Sequence, residues 1–269
     1  MPFVDLHTHL LPHWDDGSDS WTTSLEMLRQ GVADGIEEMV CTPHVMSLKD
    51  FEVENIIVQL YEELLQRAED EHLSIKIHLG SELFIQPDID YKRRISTYAN
   101  NQRYFLVEFP MNLIPDFVAK TFFDCILQDL IPVVAHPERY VKILTEPAKA
   151  YEFVERGALL QINAGSLLGV FGQTIKNTAI QLVDNNLAAL IASDAHDLKA
   201  RPFKLKAAYD LVAQKWGVVK ADKLFIENPR RILLGQDVVL DEPIPPADPN
   251  QKSAGHFISS LMRKAGIKK

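Results

Sequence analysis

A short apolar run near the start of the chain ends in two histidines: Phe3-Val4-Asp5-Leu6-His7-Thr8-His9. Residues i and i+2 of a β-strand point to the same face, so a strand here places the two imidazoles side by side. Imidazole is the side chain that most commonly binds metals in proteins. The pair therefore indicates half of a metal site, although two polar residues leaving a strand for solvent give the same pattern. Further ligands at equivalent places in the chain would favour the metal.

The composition is that of a globular protein. The chain has 269 residues, of which 46% are hydrophobic and 24% charged, which suits one large domain or two small ones. No apolar stretch approaches a membrane span, and we predict no signal sequence. The two cysteines, Cys41 and Cys125, are too few for a disulfide framework and predict a cytoplasmic location. The net charge of -9 argues against a nucleic-acid partner.

Seven short apolar or β-branched runs alternate with longer segments of helical period. This alternation predicts an α/β fold with parallel strands and right-handed crossovers. Only about 235 residues carry the pattern, which favours a single barrel over an open doubly wound sheet. The predicted strands are residues 3–9, 38–42, 75–81, 104–109, 131–136, 158–163 and 188–193. The predicted helices are residues 20–34, 52–72, 115–130, 146–156, 174–186 and 203–216.

The character of the sequence changes after Leu240. We predict a barrel over residues 1–240 and an appended region over residues 241–269. Four prolines between Asp241 and Asn250 indicate an extended linker. Residues 253–266 have the pattern of a short basic amphipathic helix. We expect it to pack on its own domain or to fray, because isolated helices this short are marginal. The alternative is that it docks on a partner or on an anionic membrane surface.

Side chains with metal-binding chemistry recur where the predicted strands end, and five of the nine histidines stand at these places. In a parallel barrel, the carboxyl ends of the strands share one face, where active sites gather. Carboxylates brought this close together repel one another unless cations balance their charge. The pattern therefore predicts a metal centre on this face. The side chains are His7, His9, His44, Glu82, Glu108, His136, Asp194 and His196.

These residues lie in motifs that resemble the polymerase-and-histidinol-phosphatase superfamily, called PHP. The motifs are Asp5-x-His7-x-His9, Thr42-Pro43-His44, Gly80-x-Glu82, His136-Pro137-Glu138-Arg139-Tyr140 and Ser193-Asp194-Ala195-His196. Three more, Asp15-Asp16-Gly17, Val107-Glu108-Phe109-Pro110 and Glu227-Asn228-Pro229, resemble the bacterial PHP protein-tyrosine phosphatases of capsular and exopolysaccharide loci. The resemblance covers residues 3–237. It implies a distorted (β/α)7 TIM-like barrel with the active site at the C-terminal ends of the strands.

The resemblance also implies three divalent metal ions at the mouth of the barrel. The expected ligands are His7, His9, Glu82 and Asp194 for the first metal, Glu82, Glu108 and His136 for the second, and Asp16, His44 and His196 for the third. Asp16 is the expected ligand with the strongest alternative interpretation, a residue of a turn that binds no metal, because Asp-Asp-Gly is also an ordinary turn sequence. Nitrogen and oxygen donors without thiolate suit manganese, iron or zinc. Manganese is the expected metal.

Two arginines follow the last two histidine motifs, at Arg139 and Arg201. Guanidinium groups can hold phosphate oxygens bidentately, and the resemblance places both in the phosphate pocket. The alternative for each is a salt bridge at a helix start. Two amides at the end of the sixth predicted strand, Gln161 and Asn163, are expected to hydrogen-bond the metal ligands, unless they only satisfy backbone groups.

The expected reaction is attack of a metal-bound hydroxide on phosphorus, with metals and arginines neutralising the phosphoryl oxygens. His44 is a candidate to assist departure of the leaving group. The cysteine-dependent route requires Cys-x5-Arg, but Ser47 follows Cys41 at that distance and Ile131 follows Cys125. The resemblance implies a phosphotyrosine protein as substrate: the tyrosine-rich tail of an autokinase that regulates capsular or exopolysaccharide synthesis. Membrane contact would then come through that partner, or weakly through the tail of this chain.

Three other functions are weighed against this one. A phosphatase of a small molecule, such as histidinol phosphate, would use the same residues, with discrimination left to the loops. A PHP exonuclease is disfavoured by the acidic charge of the chain. A metal-binding partner protein that docks through its tail is the non-enzyme alternative. A complete set of ligands together with two arginines argues against it, because binding alone needs no open phosphate site.

Overall fold

The computed structural model of the chain describes residues 2–246. The segment predicted as an amphipathic helix, residues 253–266, lies outside the described residues. The strands are β1 (Phe3–Thr8), β2 (Ile36–Cys41), β3 (His44–Val45), β4 (Lys76–Leu79), β5 (Glu82–Phe84), β6 (Tyr104–Glu108), β7 (Ile131–Ala135), β8 (Leu159–Asn163) and β9 (Ala188–Ala192). The α-helices are α1 (Trp21–Ala33), α2 (Leu48–Glu52), α3 (Glu54–Asp70), α4 (Val118–Ile126), α5 (Val141–Thr145), α6 (Ala148–Glu155), α7 (Ala164–Leu168), α8 (Gln173–Asp184), α9 (Leu205–Trp216), α10 (Val218–Asp222) and α11 (Asn228–Leu233).

The six predicted helices correspond to α1, α3, α4, α6, α8 and α9. The other helices were not predicted. Each of them has only five or six residues, which is too short to carry a recognisable helical period. Their positions therefore depend on the packing of the longer elements around them.

The strands pair in parallel and form two sheets, with orders β1-β2-β4 and β3-β5-β6-β7-β8-β9. Seven of the nine strands in the described residues correspond to predicted ones, whereas β3 and β5 were not predicted. They begin just after the predicted strands 38–42 and 75–81 end, and the pairing separates β2 from β3 and β4 from β5. Pro43, between β2 and β3, has no N–H group to continue the ladder, and Gly80, between β4 and β5, weakens a strand. The chain thereby leaves the first sheet and enters the second, where His44 pairs with Glu82.

The two sheets are connected on both sides. On one side, the chain itself runs from the first sheet into the second, from β2 to β3 and from β4 to β5. On the other side, a parallel bridge links Thr8 with Ala195, and Asp194 N donates to the carbonyl of His7 at 3.0 Å. The α/β class and the parallel pairing of the strands expected from the sequence are confirmed.

Alternation along the strands separates two hydrophobic clusters. In β6, Tyr104 and Leu106 belong to one cluster, whereas Phe105 and Val107 belong to the other. Because side chains alternate between faces, Glu108 continues the face of Tyr104 and Leu106. The apolar face of this strand therefore ends in a carboxylate at its carboxyl end.

Residues 241–246 contact the turn that precedes β9 and the segment that follows α10. Ile244 N donates to Asn185 O at 2.8 Å, and Lys223 Nζ lies 2.5 Å from the carboxylate of Asp241. The domain division at residue 240 stays a prediction. Within residues 2–246, we find no helix with the length and apolar character that crossing a membrane requires.

We expect Phe122→Ala to lower the free energy of unfolding by about 3–5 kcal/mol, because truncating a buried ring leaves a cavity. Phe122 is 0% exposed, and its ring centre lies 6.1 Å from that of Phe109 and 5.7 Å from that of Phe153. The neighbouring Phe123 is 60% exposed, so Phe123→Ala should change the free energy by no more than about 0.5 kcal/mol. Urea unfolding of both variants measures the difference, and equal losses would contradict the packing described.

Candidate metal centre

The side chains expected at the strand ends meet in one cluster at the carboxyl end of the barrel. His7 Nε2 lies 3.1 Å from His9 Nε2, 3.0 Å from Glu82 Oε2 and 3.4 Å from Asp194 Oδ1. All four residues are buried. The two histidines of the opening motif therefore face each other and two carboxylates, and they do not leave the strand for solvent.

Glu82 lies at the centre of this cluster. Its Oε2 is 3.0 Å from His7 Nε2, 3.3 Å from His9 Nε2 and 3.3 Å from His44 Nδ1. Its Oε1 is 3.0 Å from His136 Nε2. Both oxygens of this carboxylate are therefore directed at imidazoles that come from different segments of the chain.

Asp16 completes the cluster on its solvent side. Its Oδ1 lies 3.3 Å from His196 Nε2 and 3.4 Å from His44 Nε2. The side chain of Asp16 is 64% exposed, whereas that of His196 is 3% exposed. The Asp-Asp-Gly segment is thus a turn, and the turn brings one carboxylate to the two imidazoles.

Three groups of donor atoms have the proximity that a metal ion requires, since the atoms within each group lie within 4.8 Å of one another. The groups are His9, Asp16, His44 and His196; His7, His9 and Asp194; and His44, Glu82 and Glu108. They overlap the sets expected from the resemblance but divide them differently, because His9 and His44 each belong to two groups. His136 stands outside the groups and reaches the cluster through Glu82.

The donor set fits divalent metal ions. In the described part of the chain, the contacts of buried Asp194 Oδ1 and His196 Nε2 do not have the geometry of hydrogen bonds, although Asp16 Oδ1 lies 3.3 Å from His196 Nε2. A buried polar atom without a hydrogen bond costs about 1–3 kcal/mol, and a bound cation would offset that cost. Imidazole nitrogens and carboxylate oxygens, with no thiolate among them, suit manganese, iron or zinc.

The charges of the cluster also favour added cations. Burial opposes protonation of His44, but the carboxylates of Asp16 and Glu108 outweigh burial and raise its pKa to about 11. Burial likewise opposes protonation of His9, but the charge and the hydrogen bond of the Asp15 carboxylate, together with Glu82, have the larger effect and raise the pKa of His9 to about 9. Carboxylates that attract protons this strongly onto neighbouring imidazoles also stabilise metal ions.

Gln161 and Asn163 connect two of the expected ligands. Gln161 Oε1 lies 2.7 Å from His7 Nδ1, and because an amide oxygen only accepts, Nδ1 carries the proton and Nε2 is free to bind a metal. Gln161 Nε2 donates to Asn163 Oδ1 at 2.7 Å. Asn163 Nδ2 donates to Asp194 Oδ2 at 2.6 Å. Both amides thus contact side chains of the cluster, as expected from the sequence.

Two further carboxylates, Asp15 and Glu138, support the cluster and were not predicted to do so. Asp15 Oδ2 lies 2.9 Å from His9 Nδ1 and accepts the backbone N–H of His44 at 3.0 Å. Glu138 is buried and accepts the backbone N–H of Asn163 at 2.9 Å. Both residues lie inside motifs that were recognised in the sequence, and this position was the feature that could have indicated a supporting role. Which atoms they contact depends on side-chain direction, which the motifs do not specify.

Arg139 and Arg201 both donate to Asp194. Arg201 Nη2 lies 2.6 Å and Arg139 Nη1 3.1 Å from Asp194 Oδ2. Their ion pairs are therefore made with a residue of the cluster, and not at a helix start on the surface. Among residues 2–246, the buried Arg201 Nε has no hydrogen-bond partner, so donor capacity is left for an anion.

A cleft of about 470 Å³ opens beside the cluster. The indole of Trp14 stands at this cleft and donates to His44 O at 2.9 Å. The lining residues are Trp14, Asp15, Asp16, His44, Met46, Asp50 and Glu108. A larger groove of about 600 Å³ lies along α4, α5 and α6 and contains none of the expected site residues.

Neither cysteine is suited to act as a nucleophile. Cys41 and Cys125 are both buried. Burial raises the pKa of the Cys125 thiol to about 11 and that of Cys41 still further. A nucleophilic cysteine requires the opposite, a lowered pKa and access to substrate. The chemistry of the site therefore belongs to the imidazoles, carboxylates and arginines.

Relatives of known name match most of the chain. The family model described as "Capsular polysaccharide synthesis, CpsB/CapC" matches residues 3–234. The tyrosine-protein phosphatase YwqE of Bacillus subtilis (strain 168) is 33% identical over 244 residues, which are 90% of this chain and 96% of YwqE. The putative tyrosine-protein phosphatase CapC of Staphylococcus aureus is 36% identical over 210 residues, which are 77% of this chain and 82% of CapC.

The fold also matches a solved structure. The solved structure is one of those described as crystal structures of YwqE from Bacillus subtilis and CpsB from Streptococcus pneumoniae, unique metal-dependent tyrosine phosphatases. The TM-score is 0.84 at 32% sequence identity, and the match covers 91% of this chain and 99% of the solved one. At this similarity, the match extends over the whole barrel.

We expect Gln161→Leu to weaken binding of Mn²⁺ by about 10–100-fold, because His7 Nδ1 loses the acceptor that orients the imidazole. Competition with a chromogenic chelator measures the affinity. Gln128→Leu, at an exposed glutamine on the barrel exterior, is the matched control and should bind Mn²⁺ as the unaltered chain does. Equal affinity of a folded Gln161→Leu protein would show that the amide does not support the metal.

Proposed function

This chain belongs to the CpsB/CapC family of capsular polysaccharide synthesis, and we propose that it is a metal-dependent protein-tyrosine phosphatase. The observation that carries the proposal is the buried cluster of imidazoles and carboxylates with two arginines at its edge. Such a site binds metals and a phosphate group together. The names of the matched relatives, which are tyrosine-protein phosphatases, support the same function.

We propose that the cluster holds three divalent metal ions, with manganese expected and iron or zinc as the alternatives. Bound metals of this kind lower the pKa of water towards about 7 and add positive charge beside the phosphoryl group. The proposed ligands are His7, His9, Glu82 and Asp194 for the first, Glu82, Glu108 and His136 for the second, and Asp16, His44 and His196 for the third.

Arg139 and Arg201 are proposed to bind the phosphoryl oxygens. Both guanidinium groups are anchored on one oxygen, Asp194 Oδ2, so their positions are set before the substrate arrives. Preorganised donors of this kind stabilise the charge that develops on the equatorial oxygens of the transition state. Because they also bind the ground state, their loss affects both KM and kcat.

The leaving group makes little demand on a general acid. The reference pKa of a tyrosine hydroxyl is about 10, so tyrosinate departs more readily than an alkoxide. His44, at the cleft, is the side chain proposed to assist that departure where it does not bind a metal. Its Nε2 also faces Asp16, so this nitrogen either binds the proposed third metal or carries the proton for the leaving group, and the general-acid role is the alternative to the ligand role.

The proposed substrate is a phosphotyrosine in a protein chain. The cleft beside the cluster is open and presents Trp14 and Met46 next to the metal-binding side chains, which suits a phosphorylated aromatic ring with peptide on both sides. We propose the tyrosine-rich tail of a polysaccharide-export kinase as the partner, because the matched family belongs to capsular polysaccharide synthesis. The proposed compartment is the cytoplasm, with membrane contact made through that partner.

A side-by-side assay tests the substrate. With Mn²⁺ present and equal enzyme concentrations, kcat/KM for a phosphotyrosine peptide should exceed that for histidinol phosphate by about tenfold or more. A chelator should abolish both activities, whereas Cys125→Ser should keep them. A tenfold preference for histidinol phosphate would overturn the substrate assignment, and turnover in the presence of chelator would overturn the metal dependence.

His136→Ala should lower kcat for the peptide by at least about 100-fold without unfolding the barrel, because Glu82 loses one of its imidazole partners and the site one proposed ligand. The control is His78→Ala, at a histidine on β4 whose Nε2 lies 3.3 Å from Glu38 Oε2. Steady-state kinetics and circular dichroism together separate loss of the site from loss of the fold. Full activity of His136→Ala with metals present would contradict the scheme.

A further inference from the structure

The guanidinium of Arg139 is held from two directions. Its Nη1 donates to Asp194 Oδ2 at 3.1 Å, and its Cζ lies 4.7 Å from the centre of the Phe171 ring. A guanidinium over an aromatic ring is attracted by the electrons of the ring face. One hydrogen bond leaves a long side chain several rotamers, so the ring supplies the second restraint on Arg139.

The turn that carries Phe171 is held by its own backbone. Gly169 and Gly172 flank the residue with φ angles of 87° and 94°, in the left-handed region that favours glycine. Gly172 N donates to Gly169 O at 3.1 Å, and Val170 N donates to Gly165 O at 2.9 Å. The ring is therefore presented to Arg139 by a defined turn after α7.

Gly165, on α7, lies against the same ring. A Cβ built at this glycine would be 3.2 Å from Phe171 Cε2 and 3.7 Å from Cζ. The first distance is shorter than an ordinary van der Waals contact, so the ring would have to move. Alanine is a better helix former than glycine, and Gly165→Ala therefore displaces the ring without weakening the helix.

We propose that Phe171 is a positioning residue that holds Arg139 in place for phosphate binding. This inference rests on one part of the proposed function, the binding of phosphate by Arg139. The ring acts through the arginine, because the guanidinium already lies over its face. The residue belongs to none of the sequence motifs that resemble the phosphatase family.

The test measures the dissociation constant of inorganic phosphate for the Mn²⁺-loaded protein by calorimetry, and kcat and KM for a phosphotyrosine peptide. Phe171→Leu should weaken phosphate binding by about 3–30-fold, which corresponds to the usual range of cation–π interactions. Phe171→Tyr keeps the aromatic face and should stay within about twofold. Gly165→Ala should weaken phosphate binding less than Phe171→Leu does. The double variant Gly165→Ala/Phe171→Leu should bind phosphate as Phe171→Leu alone does, because it has no ring for the new methyl group to displace.

An Arg139→Gln background tests the route of the effect. Phe171→Leu should cause no further loss of phosphate affinity there, since the residue acts through the arginine. A further loss, an unchanged affinity in folded Phe171→Leu, or an equal loss in Phe171→Tyr would overturn the proposal. If the unaltered protein binds phosphate in a Phe171-dependent manner but does not hydrolyse the peptide, the proposed function fails and this inference stands.

Discussion

The structure depends on one buried carboxylate. Glu82 is 1% exposed, and its two oxygens lie 3.0–3.3 Å from four imidazoles. Burying an ionised carboxylate is costly unless positive charge surrounds it. The imidazoles that supply this surrounding come from several strands of the barrel. The parallel arrangement of the strands in the two sheets brings these imidazoles together, so the fold and the site depend on the same constraint.

Asp194 links the cluster of imidazoles and carboxylates to the two arginines at its edge. One of its oxygens faces the imidazoles of His7 and His196 at 3.4 Å. The other accepts hydrogen bonds from Arg139, Arg201 and Asn163. A substitution among the imidazoles or among the hydrogen-bond donors therefore alters the carboxylate that the other set contacts. The imidazoles and the arginines are therefore connected through a single side chain.

The strand interruptions show where prediction from the sequence reaches its limit. Alternation of apolar runs with helical segments predicted the order of the strands and the side chains at their ends. It did not predict the short strands β3 and β5, which begin at His44 and Glu82 and belong to the second sheet. Pro43 explains the first break once the pairing is known, because it cannot donate to a ladder. The same residue is compatible with a strand edge or a turn, so the sequence leaves the outcome open.

The sequence by itself determined which side chains lie at the mouth of the barrel, since strand ends follow from apolar periodicity and the carboxyl ends of parallel strands share one face. Only the tertiary structure decided how these side chains divide into groups, with His9 and His44 each reaching two of them. It also decided that Asp15, Glu138 and Phe171 support the site. The physical reason is that periodicity specifies a position along a strand, whereas contacts depend on side-chain direction and on the packing of segments distant in the chain.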